Sequence, residues 1–130
     1  MTRRAITTTG APSAIGPYSQ GIATDELVFC SGQIGLDPTT GEVVGGGVEA
    51  EAERALRNLA AVLDAAGAGL QDVVKTTVFL ADMADFPAVN AVYARHMPDP
   101  PPARSTFAVA ALPRGARIEI EAIAARPRHG

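Results

Sequence analysis

The sequence predicts an α+β domain in which about six strands form one sheet and two helices cover one face of that sheet. Two observations lead to this fold class. Strand-like segments rich in β-branched residues alternate with turns, and only two segments carry apolar residues at the three- and four-residue spacing of a helix. The chain has 130 residues and no long linker, so we expect a single domain over residues 1–130.

The first half of the chain contains three predicted strands and the longer helix. The strands are expected at residues 3–8, 18–23 and 27–31, where breaks with glycine, proline or acidic turn residues separate them. The helix is expected from Val48 to Ala66, because apolar residues recur there at helical spacing. Acidic residues occupy its first turns and a glycine follows its end.

The second half contains a β-branched strand, a shorter helix and a final pair of strands. Residues 73–80 (VVKTTVFL) are typical of a buried strand, and residues 86–97 have helical spacing that Pro98 ends. The stretch 101–124 contains two apolar strands joined by the short link 113–116. A short link predicts that these two strands run antiparallel.

Two helices leave the second face of the sheet without cover. Several predicted strands nevertheless carry apolar residues on both faces, as at Val73-Val74 and from Phe107 to Leu112. An apolar sheet face of this kind needs a partner, and closed homo-oligomers are common among soluble proteins. We therefore expect a homo-oligomer that forms through this face.

Composition and charge argue against several classes of protein. The net charge is −3 and no basic patch stands out, so nucleic acid is not an expected partner. The single cysteine, Cys30, stands in an apolar run and is expected to be a buried thiol, and the two histidines lack metal-ligand spacing. No apolar run has the length of a membrane span and the start lacks a signal peptide, so we expect a soluble, cytoplasmic protein.

Charged residues interrupt the last two strands. Alternation along a strand places Arg104 and Thr106 on one face of the first, whereas Glu119 and Glu121 share a face of the second. We interpret Glu121 as a solvated residue in a surface ion pair. Arg104 lies among small and apolar residues, where its planar guanidinium either pairs with an internal acid or binds the carboxylate of a ligand. The residues alone leave both interpretations open.

Five segments in this order resemble the RidA/YjgF family of small proteins, and together they cover nearly the whole chain. Three of them are continuous: residues 15–20 (IGPYSQ), 29–34 (FCSGQI) and 86–93 (FPAVNAVY). The other two are interrupted: residues 66–78 contain AG at 66–67 and DVVKTTV at 72–78, and residues 102–122 contain PARS at 102–105, LP at 112–113 and IEIEA at 118–122. The resemblance implies a chorismate-mutase-like α+β fold with a mixed sheet. It also implies a homotrimer that forms through the sheet face without helices and binds its ligands in clefts between subunits.

The activity that the resemblance implies is the hydrolysis of reactive 2-imino acids to 2-keto acids and ammonia. The implied substrates are 2-iminobutanoate and 2-iminopropanoate, together with enamine tautomers such as 2-aminoacrylate. The implied partner is thus a small 2-imino or 2-keto acid in the inter-subunit cleft. No cofactor, metal or membrane is implied.

The resemblance also implies roles for particular residues. Arg104 would bind the substrate carboxylate with two N–H groups, and Glu119 would position or activate the attacking water. The residues that would line the pocket are Tyr18, Ser31, Gly32, Asn90 and Thr106. Thr106 replaces a cysteine that many relatives carry. The contact implied there uses the backbone carbonyl to hold the imine nitrogen, which threonine would also supply.

The link between the last two strands limits how Arg104 and Glu119 can meet. Arg104 lies nine residues before Pro113, and Glu119 lies three residues after Ala116. In antiparallel strands the two residues are then offset by about six residues, on the order of 20 Å. We therefore expect Arg104 of one subunit to face Glu119 of the partner subunit, which makes oligomerisation a condition of activity.

Two other functions remain open. A binding module would use the same cleft to carry a small carboxylate without catalysis, although such a module needs only the arginine. A ribonuclease, an activity ascribed to some members of the family, would act on RNA. The acidic net charge and the lack of a basic and aromatic stripe argue against this second alternative.

Overall fold

A computed structural model describes residues 2–127, and within them it contains six strands and two α-helices. The strands are β1 (Arg4–Ile6), β2 (Gly21–Ala23), β3 (Leu27–Ile34), β4 (Val73–Leu80), β5 (Ala103–Ala108) and β6 (Ile118–Ala125). The helices are α1 (Gly47–Ala65) and α2 (Phe86–His96). All six strands belong to one sheet, which confirms the α+β fold class.

The strands form a mixed sheet in the order β1-β2-β3-β6-β4-β5. Every neighbouring pair is antiparallel except β4 and β5, which are parallel. β4 and β5 can be parallel because α2 connects them and returns the chain from the end of β4 to the end of the sheet where β4 began. β5 is therefore an edge strand. It runs antiparallel to β6, as predicted, although β4 lies between them.

Both helices pack on one face of the sheet, here called the helix face, and the other face is the open face. α1 contacts β3, β6 and α2. Leu56, Leu59 and Leu63 of α1 are fully buried, as are Ile118 and Ile120 of β6. Burial of each such side chain contributes on the order of 2 kcal/mol to stability. Alternate residues of β6 are buried under the helices, so the residues between them point to the open face.

The strand predicted at residues 18–23 is shorter than expected, because β2 begins only at Gly21. The preceding loop obtains hydrogen bonds from the buried amide of Gln20 instead of from a neighbouring strand. Gln20 Oε1 accepts a hydrogen bond from Thr8 N at 2.7 Å, and its Nε2 donates to Thr8 O at 3.0 Å. A side chain that satisfies backbone groups in this way removes the need for strand pairing. Tyr18 therefore lies in a loop and is exposed.

The first strand of the predicted pair at 101–124 also ends early. We expected it to continue to Leu112, but β5 ends at Ala108. The chain has to pass across β4 to reach β6, and it does so through a short 3₁₀ turn at Pro113–Gly115. Arg114 adopts a left-handed conformation in this turn, with φ 59°. The connection is therefore longer than the sequence predicted.

The thiol of Cys30 is buried in the core, as predicted. Burial raises its pKa to about 12, so the thiol stays protonated at neutral pH. Since the thiolate is the nucleophilic form of cysteine, Cys30 is an inert packing residue.

Candidate active site

Arg104 lies on the edge strand β5 with its side chain on the helix face, against α2. Its Nη1 donates a hydrogen bond to Asn90 Oδ1 at 2.8 Å. The guanidinium carbon lies 4.8 Å from the centre of the Tyr93 ring and 5.3 Å from the centre of the Phe86 ring. Within residues 2–127 no carboxylate forms an ion pair with Arg104, so the internal acid partner is not found there. The Nε and Nη2 edge has no hydrogen-bond partner in the same range and can bind a ligand.

Thr106 stands two residues after Arg104 on the same face of β5. Its Oγ1 is buried and has no hydrogen-bond partner in the described part of the chain. Its backbone groups point away from β4, because Val109 N donates to Leu80 O and only every second residue of a parallel strand bonds to the same neighbour. The carbonyl of Thr106 therefore lies at the unpaired edge of the sheet, where a ligand can reach it.

Replacement of Thr106 by valine is expected to stabilise the protein, because valine has the shape of threonine without the unpartnered hydroxyl. An unsatisfied buried hydroxyl costs about 1 kcal/mol, so we expect Tm to rise by about 3–5 °C. Thermal unfolding at matched protein concentration measures the change, and Thr106→Ser, which keeps the hydroxyl, is the control. A lower Tm for Thr106→Val would mean that the hydroxyl has a partner in the assembled protein.

Glu119 lies in β6, points to the open face and has Ile34 of β3 and Phe79 of β4 as its register neighbours. Burial raises the pKa of the Glu119 carboxyl above its usual range, and the nearby Glu121 carboxylate raises it further. A carboxylate with a raised pKa accepts a proton from water more readily. Glu121 forms no ion pair among residues 2–127, so the ion pair predicted for it is not found. The register neighbour of Glu121 in β4 is Thr77, which carries no charge.

A β-bulge in β3 places Gly32 directly against Glu119. The register between β3 and β6 shifts by one residue after Cys30, so that Ser31 and Gly32 occupy the space of a single residue. A Cβ atom on Gly32 would lie 2.8 Å from Cδ of Glu119, a separation that real Cβ atoms do not show. The absence of a side chain at Gly32 leaves the space that the Glu119 carboxyl occupies.

Glu119, Gly32 and Tyr18 line one cavity of about 400 Å³. The Tyr18 side chain is 54% exposed at this cavity. Ser31 instead lines the adjoining concave surface, and its Oγ donates a hydrogen bond to Ser19 O at 2.6 Å. This bond ties β3 to the loop that carries Tyr18. Ser31 thus lines a concave surface that it shares with Tyr18, and its pocket-lining role stays a prediction.

Gly32→Ala is expected to displace the Glu119 carboxyl while leaving the fold largely intact. The added methyl group would meet the end of a flexible side chain, which can rotate away, rather than backbone. Because a misplaced general base loses most of its effect, we expect the imine hydrolysis that the resemblance implies to fall by about 100-fold and Tm by less than about 4 °C. The control is Gly45→Ala, where a Cβ meets nothing within 4 Å. Wild-type activity in Gly32→Ala would contradict a functional role for the Glu119 carboxyl in this position.

Arg104 and Glu119 lie on opposite faces of the sheet and do not meet within one chain. Arg104 is in register with Thr76 of β4, and Glu119 is in register with Phe79 of the same strand. The offset along the strands is therefore three residues, or about 10 Å, and the predicted offset of six residues is wrong. The prediction failed because the residues after Ala108 leave the sheet instead of extending β5. Although the offset is smaller than predicted, the two side chains remain apart because they point to opposite faces of the sheet.

Sequence analysis did not identify the two aromatic residues beside Arg104 as part of the site. The available signal was spacing, because Phe86, Asn90 and Tyr93 follow each other at intervals of four and three residues in α2. Such residues share one face of a helix. A polar residue between two aromatic residues on one face indicates that this face meets something other than core.

The described part of the chain offers no metal site, because no three His, Cys, Asp or Glu side chains within residues 2–127 come together. Over the same residues, neither helix combines the length and the apolar content needed to cross a membrane.

Comparison with known proteins finds similarity along nearly the whole chain. The family model for Endoribonuclease L-PSP matches residues 8–126. The 2-iminobutanoate/2-iminopropanoate deaminase of Mus musculus is 56% identical over 122 residues, which are 94% of this chain and 90% of that protein. The crystal structure of E. coli TdcF with bound serine has a TM-score of 0.90 and 43% identity, and the match covers 95% of this chain and 99% of that one.

A second solved structure has the same degree of similarity. RidA from an Antarctic Psychrobacter bacterium has a TM-score of 0.90 and 43% identity, with 94% of this chain and 98% of that one covered. The family model spans the strands that carry Arg104 and Glu119, and the two solved structures share the fold over 95% and 94% of this chain. The chain therefore belongs to the RidA/YjgF family, to which the L-PSP family model also refers.

Proposed function

We propose that the protein hydrolyses 2-iminobutanoate and 2-iminopropanoate to the corresponding 2-keto acids and ammonia. The observation that carries this proposal is the free Nε and Nη2 edge of Arg104, which lines a cavity of about 580 Å³ together with Asn90 and Tyr93. Two parallel N–H groups in one plane match a carboxylate, which all 2-imino acids possess. The mouse relative with 56% identity bears the name of this deaminase.

The complete site is proposed to form between two subunits of a chorismate-mutase-like homotrimer. One subunit would supply Arg104 and the Thr106 carbonyl at the edge of its sheet. The partner subunit would supply Glu119, with Gly32 and Tyr18 around it. The separation of the two halves within one chain supports this arrangement, because each half alone holds only one of the groups that the reaction needs.

The open face supports assembly through that surface. Phe29, Val74 and Phe107 are 41%, 47% and 52% exposed there. Large apolar side chains at this density are typical of a surface that another subunit covers. Ile15, in the loop beside the Glu119 cavity, is 78% exposed and would be covered in the same way.

The reaction would proceed by addition of water and loss of ammonia. Arg104 binds the carboxylate, and the Thr106 carbonyl accepts a hydrogen bond from the imine N–H. Glu119 takes a proton from a water molecule whose oxygen bonds to C2, while the C=N π electron pair moves to nitrogen and Glu119 gives the proton to that nitrogen. Glu119 then carries the hydroxyl proton of the tetrahedral adduct to the amino nitrogen, so that the C2–N bond breaks, ammonia leaves and the C2 carbonyl forms. Because imines hydrolyse readily, positioning together with one general base accounts for such a site.

A binding module without catalysis is the second candidate. The serine bound to TdcF favours it, because serine offers a carboxylate but no imine. The Glu119 carboxyl favours the enzyme, because its raised pKa suits a general base. A module that only binds a carboxylate would need the arginine but not a second acid. The name of the family model also suggests cleavage of RNA. The same purified protein can be tested for this activity with labelled RNA.

The deciding experiment is an imine hydrolysis assay. An amino acid oxidase generates 2-iminobutanoate from 2-aminobutanoate, and semicarbazide traps the imine that survives. We expect the wild-type protein to suppress the semicarbazone. It should not accelerate hydrolysis of the imine that an amine oxidase forms from propylamine, which lacks a carboxylate. If neither 2-imino acid is hydrolysed while serine or 2-ketobutanoate binds, the binding module is correct. Degradation of labelled RNA that Arg104→Ala abolishes would favour the ribonuclease.

A further inference from the structure

Three residues of α2 surround the guanidinium of Arg104, and sequence analysis assigned a ligand-lining role to only one of them. We propose that Phe86, Asn90 and Tyr93 form a cradle, here called the α2 cradle, that holds Arg104 in the orientation in which it binds a carboxylate. These residues would be positioning residues, because they act through Arg104. This inference rests on the proposed function, in which Arg104 binds the substrate.

The α2 cradle contacts the guanidinium in three different ways. The Tyr93 and Phe86 rings lie 4.8 and 5.3 Å from the guanidinium carbon, within the range of cation–π attraction. Asn90 Oδ1 accepts a hydrogen bond from Nη1 at 2.8 Å. Because the three residues share one face of a single helix, they hold the guanidinium as one unit.

The cradle is itself fixed to the sheet. The Tyr93 hydroxyl and Thr76 Oγ1 are 2.7 Å apart in a buried hydrogen bond. Tyr93 is 6% exposed and Thr76 is fully buried, so the ring has no freedom to turn. Thr76 is also the register partner of Arg104 across β4 and β5. The same pair of strands therefore positions the arginine and one wall of its cradle.

The consequence is that one edge of the guanidinium is offered to a ligand. Asn90 occupies Nη1, and the rings restrict the plane of the group, which leaves the Nε and Nη2 hydrogens side by side. A free arginine side chain has to be ordered when it binds, which weakens binding, whereas an arginine already in place avoids that cost. The α2 cradle should therefore set the affinity for the carboxylate rather than the rate of the chemical step.

The test uses Phe86→Leu and Tyr93→Leu, which keep an apolar side chain but remove the aromatic face. We expect KM for 2-iminobutanoate to rise by about three- to tenfold with kcat little changed, because the carboxylate is bound equally in the ground state and the transition state. Tyr93→Phe keeps the ring and should raise KM less than Tyr93→Leu. Val89→Ala is the matched control, because it loosens the same helix from the core, where Val89 is 1% exposed.

A second readout does not depend on activity. Because two aromatic rings lie against the guanidinium, we expect the NMR resonance of the Arg104 Nε proton to differ from that of a free arginine. It should move towards the free value in the two leucine variants but not in Val89→Ala. Imine hydrolysis by the wild type, with wild-type KM and an unmoved resonance in Phe86→Leu, would overturn the proposal. If the wild type hydrolyses no imine, the proposed function fails. The cradle is then judged by the resonance and by the affinity for 2-ketobutanoate, which should fall three- to tenfold in Phe86→Leu.

Discussion

Mixing Arg104→Ala protein with Glu119→Gln protein, each inactive alone, is expected to restore deaminase activity to about one quarter of the wild-type level. The two side chains lie on opposite faces of the sheet, with β4 between their strands. In the proposed trimer each site takes its arginine from one chain and its glutamate from the next. In an equal random mixture, half of the chains carry each intact residue, so about one site in four is complete. Refolding the two variants together and assaying imine hydrolysis measures this fraction.

A second mixture provides the matched control. Wild-type protein refolded with an equal amount of the double variant Arg104→Ala/Glu119→Gln should also retain about one quarter of its sites if the two residues come from different chains. If both residues came from one chain, the wild-type mixture would retain about one half and the mixture of single variants would have no activity. Retention of about one half in the wild-type mixture, together with an inactive mixture of single variants, would exclude the inter-subunit site.

Glu119→Gln is expected to lower kcat by about 100-fold or more, because the variant cannot accept a proton from water. It should do so without loss of stability at neutral pH. Burial, with a smaller contribution from Glu121, raises the pKa of Glu119 in the folded protein, so its ionised form is disfavoured there. A group with a raised folded-state pKa stabilises the fold when protonated, and that stability is lost as the pH rises through the folded-state pKa. Neutral glutamine avoids this loss.

Two measurements check the consequence for pH. Tm of Glu119→Gln should equal or exceed that of the wild type at neutral pH, and the two should converge at acidic pH, where Glu119 is protonated. In the wild type, kcat should fall on the acid side at a pH above the ordinary carboxyl range. Glu121→Gln removes a like charge and should move this fall to lower pH, whereas the exposed Glu49→Gln should not. A lower Tm of Glu119→Gln at neutral pH would contradict the assignment.

The regular elements with strong local patterns could be predicted from the sequence. The strand at 73–80 has the predicted bounds, and α1 differs from the predicted helix by one residue at each end. Both patterns are local, since β-branched runs and helical spacing act within a few residues. The loop before β2 could not be predicted, because it depends on the Gln20 amide and its contact with Thr8, twelve residues away.

The residues of the candidate site stay a prediction from the resemblance, and the offset between Arg104 and Glu119 could not be predicted from the sequence. The resemblance pointed to Arg104 and Glu119. Alternation along the strands placed Thr106 on the same face as Arg104, and Glu121 on the same face as Glu119. Which face each strand turns to the helices depends on how β4 and β6 pair, a contact between distant parts of the chain. The roles of Phe86 and Tyr93 depend on β5 lying beside α2, which no local pattern contains.

The bulge in β3 makes the length of this strand as important as its composition. Cys30 and Gln33 both point into the core although three positions separate them, because one extra residue lies between them. A deletion of one residue here would turn Gln33 outward and bring Gly32 away from Glu119. Substitutions can therefore alter this pocket gradually in the course of evolution, whereas the loss of a single codon would remove the pocket and reverse the end of the strand in one step.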